Sequence, residues 1–339
     1  MSDSEEEDYN YNGVIIRDKY VIIDKIGNGS YGTVYLVQNI DTNQKFVIKK
    51  SNREKCESFD REIKMLNILS KYKEKNKINK NNSYTIDMID HFIGKDFENN
   101  KQHLDKYYIV FEYKQKKSLY EYFERVEKSI NEKYAKAIFY KIAKGVEEIH
   151  GARICHLDLK LDNILLDENY KPIICDFGFA CINSNNLDRK RGTLGYIAPE
   201  LFCKNQYNGF QADIFSLGAI LLKMLTGKEI FDNKEGFIQK KNDGNKTYID
   251  KYYIDKYYKY IQDNNIDKYW EEIGVSTMNL KKDFKNLCSS MINSNPDERP
   301  TISQILAHPW LSEYINLTDK QKFDLDMEIK KKNLKKEKN

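Results

Sequence analysis

The chain has no paired-cysteine motif, no long apolar run and almost no net charge. Its six cysteines, at positions 56, 155, 175, 181, 203 and 288, never show CxxC spacing. They read as free thiols of a reducing compartment, with the cytoplasm expected and the nucleus open. No apolar run approaches the roughly 20 residues that span a bilayer, so no membrane span is expected. Basic and acidic residues number 56 and 52 in 339, a balance of +4. That total lacks the positive bias of a nucleic-acid binder, and no nucleic-acid partner is expected. The acidic run SDSEEED, Ser2 to Asp8, cannot serve as a secretory signal. It falls in a leader (1–13) that lacks the apolar residues needed to offset ordering entropy. The same reading applies to the basic tail, KKKNLKKEKN, at the end of the segment 312–339.

Between these ends the chain suits one large two-lobed domain or two small ones. From Tyr20 to about Tyr113, YVIIDKIG, TVYLVQNI, KFVIKK and YYIVFEY are short, rich in β-branched and aromatic residues, and bounded by turn formers. One helix interrupts them: in SFDREIKMLNILSKY, Phe59, Ile63, Leu66 and Leu69 recur at spacings of three and four. After Leu119 the pattern turns helical, and DIFSLGAILLKMLTG is apolar nearly all round, as a buried central helix would be. Two polar stretches read as surface insertions. Lys73–Ser83 has no apolar periodicity, and 233–268 carries the near-repeat YIDKYYIDKYYKY, expected as a tyrosine-studded amphipathic helix.

Several stretches carry chemistry. In IGNGSYGTV, Gly27, Gly29 and Gly32 let the backbone approach phosphate oxygens closely. The same spacing opens dinucleotide-binding folds, but there a helix follows, whereas TVYLVQ is a strand. In FVIKK, strand alternation puts Val47 and Lys49 on one face, Val47 for a base and Lys49 for phosphates; Lys50 points the other way. Glu62 lies beside the helix stripe and can hold Lys49 in an ion pair. In HLDLKLDN, Asp158 can accept a hydroxyl proton, Lys160 can neutralise a transferred phosphoryl group and Asn163 can ligate Mg²⁺. Thirteen residues on, ICDFGFA ends a buried strand at Asp176, placed as a second Mg²⁺ ligand. Phosphoryl transfer needs charge neutralisation and alignment, and these groups supply both.

With these motifs in this order the chain resembles the eukaryotic protein kinase family from about Tyr20 to Leu311. GTLGYIAPE, DIFSLG, DERPT and HPWL complete the series. The resemblance implies an α+β, two-lobed kinase fold: a small, mostly β N-lobe (about 20–112) with one key helix, and a larger, mostly α C-lobe (about 116–311). It implies ATP as nucleotide with Mg²⁺, or Mn²⁺ in its place. Ile26, Gly27, Asn28, Gly29, Ser30, Tyr31 and Gly32 would cover the nucleotide. Phe111 looks like the gatekeeper and Glu112 to Lys114 the hinge holding adenine, with Val34 and Val47 above the base and Leu165 beneath. Leu66, Met88, His156 and Phe177 match the stacked apolar column of an assembled active state. Glu200 and Arg299 match a buried ion pair, and Asp213 the anchor of the catalytic-loop backbone.

Lys160 and Thr193 resemble the serine/threonine branch, so protein substrates with Ser or Thr acceptors are implied. HPWL and SLGAILLKMLTG look most like the calcium/calmodulin-dependent group. The tail offers Leu334 alone as an apolar anchor, so calmodulin binding is not expected; a monomer is. Asp162 matches a position that receives a basic substrate residue, whereas Ser118 and Lys223 stand where further acids are common. Leu157 departs from the family pattern, which has an arginine there to pair with an activation-loop phosphate; leucine cannot. Ser184 is the one evident free phosphosite, and activity is expected not to depend on it. The rival readings are a pseudokinase scaffold, which normally lacks the lysine, the catalytic Asp or the metal-binding Asp, whereas Lys49, Asp158, Asn163 and Asp176 are all present here, and a small-molecule kinase, which would not need GTLGYIAPE.

Overall fold

The computed structural model describes residues 11–28, 32–52, 56–97, 105–116, 118–125, 129–183, 187, 192–203, 206–231, 238–243, 246–252, 259–261, 263, 265–275, 278 and 280–337. Ser2 to Asp8, Gly29 to Tyr31 and Ser184 lie outside them. The chain divides into two compact units, residues 1–70 with 86–114, and 71–85 with 115–339.

The first unit is a six-stranded sheet in the order β1-β2-β3-β4-β6-β5. Its strands are β1 (Ile15–Ile16), β2 (Tyr20–Asn28), β3 (Gly32–Asn39), β4 (Lys45–Ser51), β5 (Met88–Lys95) and β6 (Asp105–Glu112), and every neighbouring pair is antiparallel. Strand alternation sorts the side chains. Tyr35, Val37, Phe46, Ile48, Tyr108 and Val110 build the core on one face. Val47 and Lys49 take the other, as their alternation requires. Lys50 is buried on the core side, where its Nζ meets Asp96 Oδ1 at 2.8 Å and lies over the Phe97 ring. Burial lowers its pKa against the raising effect of Asp96.

Helix α1 (Glu57–Lys75) buries Phe59, Glu62, Met65, Leu66 and Leu69, with Ile63 half-buried. Its last residues, from 71, belong to the second unit. There the expectation of a surface insertion over Lys73–Ser83 fails at both ends. Lys73 is buried and donates to the Thr85 carbonyl, and Ser83 is buried against Glu148. The Glu148 carboxylate accepts from Ser83 Oγ, the Tyr84 amide and Thr85 Oγ1 at 2.8–2.9 Å. Three donors offset the cost of burying that charge. Polar residues here are anchors, which apolar periodicity cannot register.

The second unit is mainly helical. Helices α2 (Leu119–Arg125), α3 (Glu132–Gly151), α4 (Glu200–Cys203) and α5 (Gly209–Thr226) are joined by short ladders. Strand β7 (Ile154–Cys155) pairs with β10 (Cys181–Ile182), and β8 (Ile164–Leu166) with β9 (Pro172–Ile174). Helix α5 is capped by Asn208, whose side chain accepts from the Phe210 amide, and ends at Gly227 in the left-handed region. It is long and apolar enough to cross a membrane by length and composition, but 83% of it is buried, as a core helix requires.

Two further expectations are corrected. Within 233–268 the structure shows antiparallel strands β11 (Ile238–Asp243) and β12 (Lys246–Tyr252), so the first part of the tyrosine-rich repeat is strand and not helix. The Gly-Asn pair at 244–245 of the sequence, between the two strands, is a hairpin signal that the tyrosine repeat hid. The basic tail, expected without order, lies in a helix from Asp319 to Glu337. Leu325 and Ile329, four apart, are buried. Lys141 of α3 reaches Asp326 at 2.6 Å, and Tyr134 donates to Glu328 at 2.6 Å.

Glu200 and Arg299 form a buried bidentate pair at 2.6 and 2.8 Å, and Arg299 also donates to the Gln211 carbonyl. Replacing Arg299 by Met leaves Glu200 buried without its cation. Unfolding free energy is expected to fall by about 3–5 kcal/mol, measured by denaturant titration.

Candidate functional site

In the first unit, the candidate nucleotide residues share one sheet face. Register sets Val34 opposite Lys49 and Val47 opposite Phe111. Lys49 Nζ donates to Glu62 Oε2 at 2.8 Å, and Glu62 is buried. The helix stripe therefore includes this glutamate, held by a charge-assisted bond. Gly32 is sterically required: an added Cβ would meet the Lys50 carbonyl at 2.5 Å and the Phe59 ring at 3.0 Å. At Gly27 the nearest atom would be at 3.5 Å, so no packing within this unit demands glycine there. Ile26 is exposed, and Asn28 Oδ1 accepts from Thr33 Oγ1. Strand β6 ends on Phe111 and Glu112, and Lys114 Nζ returns to Glu112 at 3.1 Å.

In the second unit the residues from 156 to 163 are set from behind by Asp213 of α5. Its carboxylate, fully buried, accepts from the amides of His156 and Leu157, each at 2.8 Å, and faces His150 Nε2 at 3.0 Å. The His156 ring packs edge-on against Phe177, and its Nε2 lies 3.0 Å from the Cys175 carbonyl. Of the expected apolar column, Leu66 is buried and Met88 half-buried within the first unit. Leu157 takes φ +62°, a conformation rare for a residue with a Cβ, and its side chain is buried. Such a backbone state persists where the surroundings over-determine it, and here two anchored amides do so.

That anchoring presents Asp158 between two donor sets. Asn163 Nδ2 donates to its Oδ2 and to its main-chain carbonyl, both at 2.9 Å. Thr193 Oγ1 donates to Oδ1 at 2.6 Å, while Lys160 Nζ reaches Thr193 Oγ1 at 2.8 Å and Asp158 Oδ2 at 3.2 Å. The β8–β9 hairpin, with the Cys175 amide donating to the Asn163 carbonyl, brings Asp176 to the same end as Asn163. Asp176 has φ +61°, so the chain turns sharply at this carboxylate. Leu165, at the centre of β8, is half-buried.

The donor set suits a hard divalent cation. Asn163 spends its amide N–H groups on Asp158, which leaves the amide oxygen for a metal beside the Asp176 carboxylate. Mg²⁺ commonly takes one or two protein ligands and draws the rest from phosphates and water. Among the described residues no group of three or more His, Cys, Asp or Glu offers an all-protein metal cage.

The residues after Asp176 are held by main-chain contacts. Strand β10 pairs with β7, the Asn183 amide donates to the Arg153 carbonyl at 2.8 Å, and Asn183 Oδ1 accepts from the Gly209 amide at 3.0 Å. Leu187 bridges to Tyr207, and Ser216 Oγ donates to the Tyr196 carbonyl. Burial raises the Tyr196 phenol above its ordinary pKa. Reading the sequence missed His150 and Asn183. A histidine on a helix and an asparagine in a loop carry no pattern that names a partner 63 or 26 residues away.

Replacing Asp213 by Ala strips the acceptor from two buried amides, at about 1–3 kcal/mol each. Hydrogen exchange at His156 and Leu157 is expected to accelerate far more than in the strands of the first unit, as read by mass spectrometry.

Comparison with known proteins agrees with this geometry. The family model described as protein kinase domain matches residues 20–311. YPL150W of Saccharomyces cerevisiae, which carries a serine/threonine-protein kinase name, is 31% identical over 297 residues, 87% of this chain and 28% of that protein. Serine/threonine-protein kinase ppk16 of Schizosaccharomyces pombe is 28% identical over 298 residues, 87% of this chain and 37% of that protein. CBL-interacting serine/threonine-protein kinase 13 of Arabidopsis thaliana is 27% identical over 310 residues, 88% of this chain and 52% of that protein. The chain thus spans about a third to a half of the length of these relatives. With the whole motif series inside the matched region, the chain belongs to the protein kinase domain family.

Proposed function

We propose that this chain is a serine/threonine protein kinase that moves the γ-phosphoryl group of ATP to Ser and Thr hydroxyls of protein substrates, with Mg²⁺ as its metal. The observation that carries this reading is Asp158. Its two carboxylate oxygens are oriented by Asn163 and by the Thr193–Lys160 pair, so it can accept the proton of an incoming hydroxyl. Lys160 supplies positive charge beside it for the transferred group, and Lys49, fixed by Glu62, supplies charge for the nucleotide phosphates. Bound Mg²⁺ would be held by Asn163 and Asp176 and would neutralise phosphate charge. All four residues whose loss marks a scaffold are in place, so nothing favours a protein that binds ATP without transferring from it.

The reading extends to control. Leu157 is apolar and buried, so it offers no cation to a phosphate on the activation segment. The segment is tied down instead by β10–β7 pairing, Asn183, the Leu187–Tyr207 bridge and Thr193, none of which needs a phosphate. Activity is therefore independent of activation-segment phosphorylation. Likeness to the calcium/calmodulin-dependent group rests on HPWL and the α5 sequence, and the three relatives' names do not single that group out. Substrate selection favours basic residues only to a limited degree. Asp162 is available, but Lys223 pairs with Glu229 at 3.2 Å and leaves that acid partly neutralised.

Asp158→Asn is expected to lower kcat for peptide phosphorylation by about 10²–10⁴-fold with ATP affinity retained; unchanged transfer would remove Asp158 from the mechanism. Ser184→Ala is expected to keep most of its activity, measured with the same peptide, and near-complete loss would return control to the activation segment.

A further inference from the structure

Two thiols outside the transfer chemistry lie where the activation segment meets the catalytic loop. Cys155 and Cys181 face each other directly across the β7–β10 ladder, with Sγ atoms 3.5 Å apart and the Cys155 thiol 3.3 Å from the Cys181 carbonyl. Neither is in a disulfide. Directly opposed residues of an antiparallel pair have Cα atoms about 4.5–5.5 Å apart, inside the range of about 4.4–6.8 Å that a disulfide spans. Both sulfurs point to the same side, so side-chain rotation alone can join them. Cys155 is fully buried and Cys181 half-buried. The fold makes room for this sulfur: an added Cβ on Gly209 would stand 2.4 Å from Cys155 Sγ.

We propose that Cys155 and Cys181 form an oxidative modification site, at which a hydroperoxide joins them in a disulfide that fastens the start of the activation segment to the strand leading into the catalytic loop. Cys181, the more accessible thiol, reacts first. Its sulfur attacks the peroxide, the O–O bond breaks, an alcohol (or water) leaves and a sulfenic acid remains. The Cys155 sulfur then attacks that sulfur, and the hydroxide leaves with the Cys155 proton as water. Overall, two thiols lose two electrons and two protons, and the hydroperoxide is reduced to alcohol and water. The hydrogen bond to Cys181 and then burial raise the Cys155 pKa, which suits it to the resolving role and not to first attack. A dithiol reductant reverses the link, as expected of disulfides in a reducing compartment, which are transient and signalling in kind.

The site deepens the proposal that main-chain pairing, not a phosphate, holds the activation segment. The disulfide itself does not rest on that reading, and mapping it needs no activity measurement. The 339-residue chain is treated with hydrogen peroxide, alkylated and digested with trypsin without reduction. The expected product links residues 154–160 to residues 161–189, and fragmentation places the second sulfur at Cys181 and not at Cys175. The same treatment is expected to raise the Tm by several degrees, reversibly with dithiothreitol. Neither effect is expected in Cys181→Ser, whose half-buried position tolerates a hydroxyl. In Cys155→Ala, peroxide is expected to leave Cys181 as a sulfenic acid trapped by dimedone. No link, a link at Cys175, or a link without a rise in Tm would each overturn the proposal.

Discussion

The candidate site of the second unit depends on one buried carboxylate. Asp213 sits on an apolar helix where an unpaired charge would be prohibitively costly. It is tolerated because the amides of His156 and Leu157 and the His150 ring converge on it. The two amide contacts hold the chain at the left-handed residue Leu157, one position before Asp158. A buried core helix thus sets, through hydrogen bonds to main chain, the direction in which the loop presents Asp158. Asp158 then needs only Asn163 and Thr193 to complete its orientation.

Leu157 shows how position separates chemistry from control. Its side chain is apolar and buried, so the loop carries no cation at the position where the family pattern has an arginine. In the proposed reading the segment after Asp176 is held instead by weak, local contacts: a two-residue ladder, an asparagine that bonds in both directions, and a bridge from Leu187 to Tyr207. Each net hydrogen bond contributes only about 1 kcal/mol, so a covalent bond in the same ladder would outweigh any one of them. Cys155 and Cys181 are directly paired in that ladder, with their sulfurs 3.5 Å apart.

Much of this was legible in the sequence because it follows period. Alternation put Val47 and Lys49 on one face and Lys50 on the other, and the three-and-four stripe of α1 placed Glu62 where it could turn inward. The HLDLKLDN and DFG stretches fixed which residues would meet, and the β8–β9 hairpin supplied the meeting. What escaped was held by polar contacts of no period. Ser83 and Thr85 look like surface residues until Glu148 is seen to gather them, and Lys73 until its ammonium is seen on the Thr85 carbonyl. The tail looked disordered because its lysines outnumber the two buried residues, Leu325 and Ile329, that dock it. A tyrosine repeat suggested a helix, but β-favouring tyrosine and isoleucine pair there in two antiparallel strands.

The proposed function makes this chain a kinase assembled by its own packing and not by a phosphate. Its most direct test is the rate of γ-phosphoryl transfer to a peptide by the 339-residue chain, shown by intact mass to carry no phosphate at all, followed from the first turnover. The account predicts a linear time course at full rate, without a lag. A lag that shortens as protein concentration rises, with activity appearing only as phosphate accumulates on the chain, would contradict it.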